Sequence, residues 1–409
     1  MFILALTLLG VAHAAADLDT DTWNDLTNNF ATDIAPLIAL FGEQVTKQFL
    51  SESTGILDNI IFGMAPLGIL TAVVSAIRVY GWPSMKAFIG RAQEAHGVAE
   101  AELCSSTSYD VCELWSEGGI CRVFGRPRVL EFVYKPRRPD TRFYPEFSPS
   151  TTEKQDDDWE EQGAKASSNT NSEANLSLQF APCPNMSLNI GIRVAPPWGL
   201  ITIAMLVSLV QLGFFAYAAV TTFARPDLYA GEEEPPVWAF VLAALGTAML
   251  VSGMILCSFL IERRSTERHF VDKAPSSTAS ADTTIYWLQP GGQLIGDQQF
   301  NAFSYNKVKH NYITSFKSDQ SQHRRGLPHS MNLVLLLALF ASVVGFVLQF
   351  IGLRSLHGSI TLYQIAATLF VAMIRALLRQ RRLNPDDNEL RTLGAKFGGH
   401  ELDWQALSI

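Results

Sequence analysis

Long apolar runs alternate with polar stretches along this chain, a pattern typical of membrane-spanning helices joined by aqueous loops. About twenty mostly apolar residues in a helix cross the roughly 30 Å hydrocarbon core of a bilayer. Five ranges of that character are predicted as transmembrane helices: 56–80, 199–223, 237–261, 332–353 and 358–378. The connection between the last two is so short that they must form an antiparallel hairpin. The sequence therefore predicts a membrane all-α helical bundle of about five transmembrane helices.

The first of these ranges, 56–80, is the least regular. It contains Asp58 and Asn59 near its start, Pro66 in the middle and Arg78 near its end. The proline is expected to bend the helix, and Arg78 is expected to extend its charged group to the membrane surface. A buried helix of an aqueous domain is the alternative interpretation of this range.

The segment 1–16 is apolar and ends in small residues with an A-x-A pattern. This arrangement is typical of a secretory signal peptide, with an uncleaved signal anchor as the alternative. The following segment, 17–55, is predicted to be extracytoplasmic. Apolar residues recur at helical spacing between Ile34 and Phe49, which predicts an amphipathic helix on the outer leaflet or on the bundle. A partner-binding helix is the alternative.

The segment 81–135 is predicted to be a cytoplasmic region that combines helices with strands. Helix-forming residues fill Ser84–Cys104, and a second, shorter helix is predicted over Tyr109–Trp115. Two strands are predicted at Cys121–Phe124 and Val129–Tyr134, on either side of a Gly/Pro turn.

Alternating apolar and polar residues predict more strands in two further segments. Segment 175–198 is predicted as a β hairpin, and 262–331 as a cytoplasmic β loop with a turn at Pro290–Gly292. Because isolated hairpins are only marginally stable in water, the strands of both loops are expected to form one small mixed, mostly β cytoplasmic domain. The segment 136–174 is acidic and poor in aliphatic residues, so it is predicted to be a disordered linker.

The distribution of Lys and Arg predicts the orientation in the membrane. Positive charges concentrate in the two long loops and in the tail 379–409, whereas acidic residues dominate the short loop 224–236. Because Lys and Arg near span ends favour the cytoplasmic side, both long loops and the C-terminus are predicted to be cytoplasmic and the N-terminus to lie outside. This orientation agrees with a cleaved signal peptide and predicts a multi-pass protein of the secretory pathway or plasma membrane.

Two features of the first long loop favour the opposite orientation. Asn175 and Asn185 stand in glycosylation sequons. Four of the five cysteines lie in the same loop and could pair in an oxidising lumen: Cys104, Cys112, Cys121 and Cys183. A lumenal loop therefore stays open as the alternative.

No catalytic, cofactor-binding or metal-binding residue is predicted, and no cofactor is expected. The chain lacks the glycine-rich phosphate-binding loop, the H-E-x-x-H zinc motif and the G-x-S-x-G nucleophile motif. His96 and the loop cysteines are spaced too widely for zinc knuckles, and the acidic run Asp156–Asp158 is expected to be solvated. A basic cluster between Arg122 and Arg138 is expected either to contact anionic lipids or to form a solvated face.

These observations favour a non-enzymatic membrane scaffold that recruits cytoplasmic partners. Spans two to four carry no ionisable residue, and Arg375 near the end of the fifth is expected to reach the membrane surface. Transporters usually place ionisable groups inside their spans, so a solute transporter or channel is the alternative. The expected partners are the lipid bilayer and cytoplasmic proteins. The net charge of −8 gives no indication of nucleic-acid binding.

The stretch AEAELCSSTSYDVCELWSEGGICRVFGRPRVLEFVY (Ala99–Tyr134) resembles the hallmark segment of a family of uncharacterised filamentous-fungal multi-pass membrane proteins. Segments 30–53 and 283–300, and GHELDW at 399–404, are similar to that family as well. Some of its members continue into ankyrin repeats, and no such repeat is expected within these 409 residues. The resemblance implies a shared topology and shared loops, and it supplies no catalytic residue, substrate or cofactor.

Overall fold

The computed structural model describes the following stretches, and every structural statement below concerns them: 42–53, 55–64, 66–95, 97–108, 110–117, 119–125, 127–134, 159–161, 183–191, 196–224, 236–272, 284–308, 311–317 and 329–380. The predicted signal peptide 1–16, most of the predicted linker 136–174 and the tail beyond residue 380 lie outside these stretches.

The described stretches contain nine α-helices: α1 (Glu43–Ser51), α2 (Ile56–Gly63), α3 (Ile69–Tyr80), α4 (Pro83–Phe88), α5 (Val98–Leu103), α6 (Pro197–Ala219), α7 (Val237–Glu262), α8 (His329–Arg354) and α9 (Gly358–Leu378). They also contain ten strands: β1 (Val111–Ser116), β2 (Gly119–Phe124), β3 (Leu130–Tyr134), β4 (Trp159–Glu161), β5 (Ser265–Asp272), β6 (Thr284–Gln289), β7 (Gln293–Ile295), β8 (Gln298–Phe300), β9 (Phe303–Val308) and β10 (Asn311–Lys317). Two π-helical turns are formed at Ser187–Gly191 and at Val220–Ala224, where the second continues α6.

Four helices, α6 to α9, are long and apolar enough to cross a membrane. Apolar side chains of α6 such as Ile201, Met205 and Leu209 are exposed on the outside of the bundle. An apolar outer surface suits contact with lipid tails, because polar groups in that position would find no hydrogen-bond partners in the hydrocarbon core. Four of the five predicted spans are therefore confirmed as helices of the required length and composition.

α7 and α8 run antiparallel with almost no space between their backbones. A Cβ atom added at Gly246 would lie 2.2 Å from the backbone nitrogen of Gln349, and one added at Gly345 would lie 2.5 Å from that of Leu250. Small residues at such positions let two membrane helices approach closely. α6 and α9 form a second contact, in which the Tyr363 hydroxyl of α9 donates to a backbone carbonyl of α6 at 3.0 Å.

The first predicted span, 56–80, is not one spanning helix, and that prediction is wrong. α2 and α3 are separated by a break at which Gly68 takes a left-handed conformation with a φ of 70°. Asn59 near the start of α2 accepts a hydrogen bond from Ser258 of α7 at 2.5 Å. The ring of Tyr80 at the end of α3 lies 5.9 Å from the guanidinium of an arginine just beyond α7. Both ends of the segment therefore lie at the same end of α7, so α2 and α3 form a hairpin that enters the bundle and returns.

Strands from the two long loops pair with each other. β3 of the first loop pairs antiparallel with β6 of the second, with Leu130 opposite Leu288, and β9 continues this sheet. In another sheet, β5 lies between β10 and β4, while β1–β2 and β7–β8 form hairpins. The strands predicted around Pro290–Gly292 are present, and pairing between the two loops occurs at β3–β6 and β4–β5.

Two local predictions in the first loop are wrong. Where a helix is predicted over Tyr109–Trp115, the described residues from Val111 onward form strand β1 instead, because this backbone pairs with β2 across a tight turn and its side chains are buried from Val111 to Trp115. The β hairpin predicted over 175–198 has no strand at Ser187–Gly191, the described part of its second half, because these residues form a π-helical turn. The first half of that hairpin lies outside the described residues.

Two further predictions hold in part. The helix predicted over Ser84–Cys104 is divided into α4 and α5, because Gly90 and Gly97 between them take left-handed conformations with φ of 73° and 90°. Within the segment 136–174, predicted to be a disordered linker, Trp159–Glu161 pairs with β5 as strand β4.

Aromatic side chains form the core of the strand region. Trp115 stacks on Phe303 with ring centroids 4.6 Å apart, and the rings of Trp287 and Tyr305 lie 5.9 Å apart. All four residues are buried. Large aromatic side chains contribute much of the apolar area that a small core can bury, so the strand region has a core of its own beside that of the helices.

Candidate functional site

Residues 42–53 and the described parts of the two long loops meet at one end of the bundle. Lys47 of α1 pairs with Glu102 at 3.4 Å, and Lys317 of β10 pairs with Glu100 at 3.1 Å. Residues 42–53 therefore lie beside the two long loops. The prediction that a spanning helix separates segment 17–55 from those loops does not hold for residues 42–53, because the α2–α3 hairpin returns to the end of the bundle at which it entered.

A group of charged and polar side chains lies where the bundle meets the strands, and we name it the junction cluster: Asp58, Asn59, Glu262, Glu267 and Arg379. Asp58 pairs with Arg379 at 3.1 Å. Asn59 donates a hydrogen bond to the Glu262 carboxylate, and the carboxyl group of Glu267 accepts one from Ser105 at 3.1 Å. Since buried charges are costly unless they are paired and hydrogen-bonded, these contacts fix how α2, α7, α9 and β5 meet.

The carboxyl groups of the junction cluster are close enough to influence one another. Burial raises the pKa of Glu267 to about 8, the hydrogen bond from Ser105 opposes this shift, and the negative charges of Glu262 and Asp58 raise the pKa further. A carboxyl group in such surroundings keeps its proton near neutral pH. We therefore expect Glu267 to be protonated at neutral pH, at the place where the helices meet the strands.

Two arginines expected to reach the membrane surface are buried instead, so those predictions are wrong. Arg375 of α9 is 1% exposed. Its guanidinium donates to the Phe62 carbonyl and lies 4.6 Å from the ring of Phe62 and 5.6 Å from that of Phe49. Arg78 of α3 is also buried, and it pairs with Glu94 and a second glutamate of the first loop. Both side chains stay inside because α1, α2 and the first loop cover them.

Asn185, one of the two sequon residues, is completely buried and fixes the first loop to β10. Its side chain donates to the Ser315 carbonyl at 3.0 Å and accepts from the Ser315 N–H at 2.7 Å. Asn189, one turn later, makes the same two bonds with Ile313, at 2.8 and 3.0 Å. An attached glycan requires a side chain at the surface, so this sequon gives no support to a lumenal loop. Asn175 lies outside the described residues.

The arginine that begins the predicted basic cluster is also part of the interior. Arg122 pairs with Glu113 at 2.7 Å and donates to the backbone carbonyl of Ser106. The second oxygen of Glu113 accepts from the Ser187 N–H at 2.8 Å. Arg122 is therefore neither a lipid contact nor part of a solvated face, whereas Arg128 is exposed.

The cysteines are free thiols, and their surroundings do not favour reactivity. A hydrogen bond with Cys183 raises the pKa of Cys112, and burial acts in the same direction. Burial raises the pKa of Cys104 to about 11. Because the thiolate is the nucleophile, a raised pKa makes a thiol less reactive. Among the described residues, no three His, Cys, Asp or Glu side chains lie close enough together to hold a metal ion.

Four apolar helices of spanning length, with strands gathered at one end, are the architecture of a helical multi-pass membrane protein. No protein-family model, curated protein or solved structure matches this chain.

The sequence pattern did not identify the junction cluster. The sequence feature that could have indicated the cluster is the polar pair Asp58–Asn59 inside an apolar run. Two adjacent polar side chains that are buried need hydrogen-bond or charged partners from other segments.

Proposed function

We propose that this protein is a non-enzymatic membrane scaffold that recruits protein partners through its strand region, with that region in the cytoplasm. The observation that carries the proposal is that buried hydrogen bonds hold segments far apart in the chain together at one end of the bundle. Asn185 fixes the first loop to β10, and the Gln289 side chain donates to the Trp115 carbonyl at 3.0 Å while it accepts from the Trp115 N–H at 2.8 Å. A preorganised surface loses little entropy when a partner binds.

The strand region offers an exposed apolar surface to a partner. Leu294 of the β7–β8 hairpin is 73% exposed, and Phe124 at the end of β2 is exposed as well. A Cβ atom added at Gly125 would lie 3.7 Å from Ile295, so the ends of these two hairpins are neighbours. Clustered apolar side chains on an aqueous surface are typical of protein-binding sites.

The positive charges at the end of the bundle that carries the strands support the cytoplasmic orientation. Arg263, Arg264, Lys317 and Arg379 all belong to the end that carries the strands, and the positively charged end of a membrane protein favours the cytoplasm. In this orientation residues 42–53 are cytoplasmic too.

The test is proximity labelling by a biotin ligase fused after residue 409, with the ligase on an unrelated four-span protein of the same membrane as background. We expect cytosolic proteins that are labelled reproducibly above background. Leu294→Asp should reduce their labelling, and Asn311→Asp, which adds the same charge at an exposed position of β10, should not. Labelling of lumenal proteins, or equal loss in both variants, would contradict the proposal.

A solute transporter is the second candidate, favoured by one polar contact inside the bundle. Gln211 of α6 and Gln364 of α9 are buried and hydrogen-bond at 3.4 Å. Polar pairs in spans also join helices without any transport role. Solute flux into vesicles that contain the purified protein, lost in Gln211→Leu, would favour the transporter over the scaffold.

A further inference from the structure

The short helix α4 presents apolar side chains outward at the point where the chain leaves the bundle. It follows directly after the α2–α3 hairpin, beside the end of α7. Met85 and Ile89 pack on the helical core, whereas Phe88 is 91% exposed and Trp82 is 37% exposed. Two exposed aromatic side chains beside the end of a membrane-spanning helix are typical of the bilayer interface, where an apolar ring contacts the upper part of the lipid chains.

Positive charges gather around the same helix. Arg264 lies 5.9 Å from the ring of Tyr80, and Arg263 is exposed beside the ring of Phe259 at 5.6 Å. Burial lowers the pKa of Lys86; Glu94 opposes this shift, and the nearby charges of Arg264, Arg78 and Lys317 add to it. Arg78 and Lys317 are paired with glutamates of the first loop, and an anion placed beside Lys86 and Arg264 relieves the repulsion between those two cations.

We propose that Lys86 and Arg264, together with Trp82 and Phe88, bind an anionic phospholipid of the surrounding bilayer. The two cations contact the phosphate of the head group, because Lys and Arg are the side chains that bind phosphate. The two aromatic rings pack on the glycerol and the first methylene groups. Anionic lipids are enriched in the cytoplasmic leaflet, where the proposed orientation places this end of the bundle, but binding itself does not depend on a scaffold function.

The first test is the thermal stability of the purified full chain in neutral detergent with added phosphatidylglycerol, phosphatidylcholine or soluble glycerol phosphate. We expect phosphatidylglycerol alone to raise the unfolding temperature, by about 3 °C at saturation. The double variant Lys86→Ala/Arg264→Ala should lose this rise. Arg128→Ala, which removes an exposed positive charge in the strand region, should keep it. An equal rise in both variants, or an equal rise with glycerol phosphate, would overturn the proposal.

The second test locates Phe88 relative to the bilayer. Phe88→Cys and Leu294→Cys, each labelled with an environment-sensitive dye, are reconstituted into vesicles that contain brominated lipids, with the unsubstituted protein as the labelling blank. We expect the bromine atoms to quench the dye at residue 88 at least several-fold more than the dye at residue 294. Equal quenching at both positions would show that α4 does not contact the lipid.

Discussion

Glu267 lies near the start of β5, where its carboxyl group meets Ser105 of the first loop and the negative charges of Glu262 and Asp58. Its pKa of about 8 lies above the ordinary value of 4.5, mainly because burial disfavours the charged form. At a pH between 4.5 and about 8, Glu267 keeps its proton in the folded protein and has lost it in the unfolded chain. The stability of the fold therefore falls as the pH rises through this window.

We expect Glu267→Gln to remove this dependence, because glutamine retains the shape and polarity of the protonated side chain and does not titrate. The measurement is the unfolding temperature of the purified protein between pH 5 and pH 9. The wild type should lose stability relative to the variant as the pH rises towards about 8. Glu117→Gln, at an exposed position, serves as the control and should follow the wild type. Parallel pH profiles for the wild type and Glu267→Gln would refute the proton coupling.

At the scale of elements, the closeness of α7 and α8 depends on positions that carry no side chain. Gly246 faces the backbone of Gln349 so closely that a single methyl group would overlap it. The helices would have to separate, and that would weaken the neighbouring hydrogen bond from Gln349 to Thr247 at 2.9 Å.

We expect Gly246→Ala to destabilise the bundle by about 1–3 kcal/mol, the usual cost of overpacking a well-packed core. Thermal unfolding in detergent, followed by size-exclusion chromatography, measures the loss. Gly199→Ala in α6 is the matched control, because its added Cβ atom would lie an ordinary 3.5 Å from Pro196. Equal stability of the two variants would mean that α7 and α8 are not packed through Gly246.

At the scale of the whole molecule, the returning α2–α3 hairpin decides which segments share an end of the helical bundle. The contacts of Asn59 and Tyr80 with the same end of α7 place the residues before α2 and after α3 together. A fifth spanning helix would place them on opposite sides.

Cysteine accessibility distinguishes these two arrangements. We expect a membrane-impermeant maleimide to label Gly55→Cys and Ala92→Cys from the same face of sealed vesicles, and Arg354→Cys from the opposite face. Residue 55 has open space around its Cα, and residues 92 and 354 are exposed. The unsubstituted protein corrects for labelling of the native thiols. Labelling of residues 55 and 92 from opposite faces would restore the five-span arrangement.

The sequence by itself determined the four long helices and the strands around Pro290–Gly292. Composition and turn residues suffice there, because a run such as Val237–Glu262 is apolar throughout and admits few other structures. The opposite case is β1, whose residues favour a helix locally and form a strand because β2 provides a partner backbone. Local preferences yield to pairing and burial at such positions.

Only the tertiary structure decided the path of 56–80, the burial of Arg78, Arg375 and Asn185, and the junction cluster. Length and hydropathy are the same for an apolar segment that crosses a bilayer and for one that turns back inside the bundle. The partners that separate the two cases, such as Ser258 for Asn59, lie about two hundred residues away in the chain. A contact between segments so distant leaves no periodic pattern in either of them, so it becomes visible only when the chain is folded.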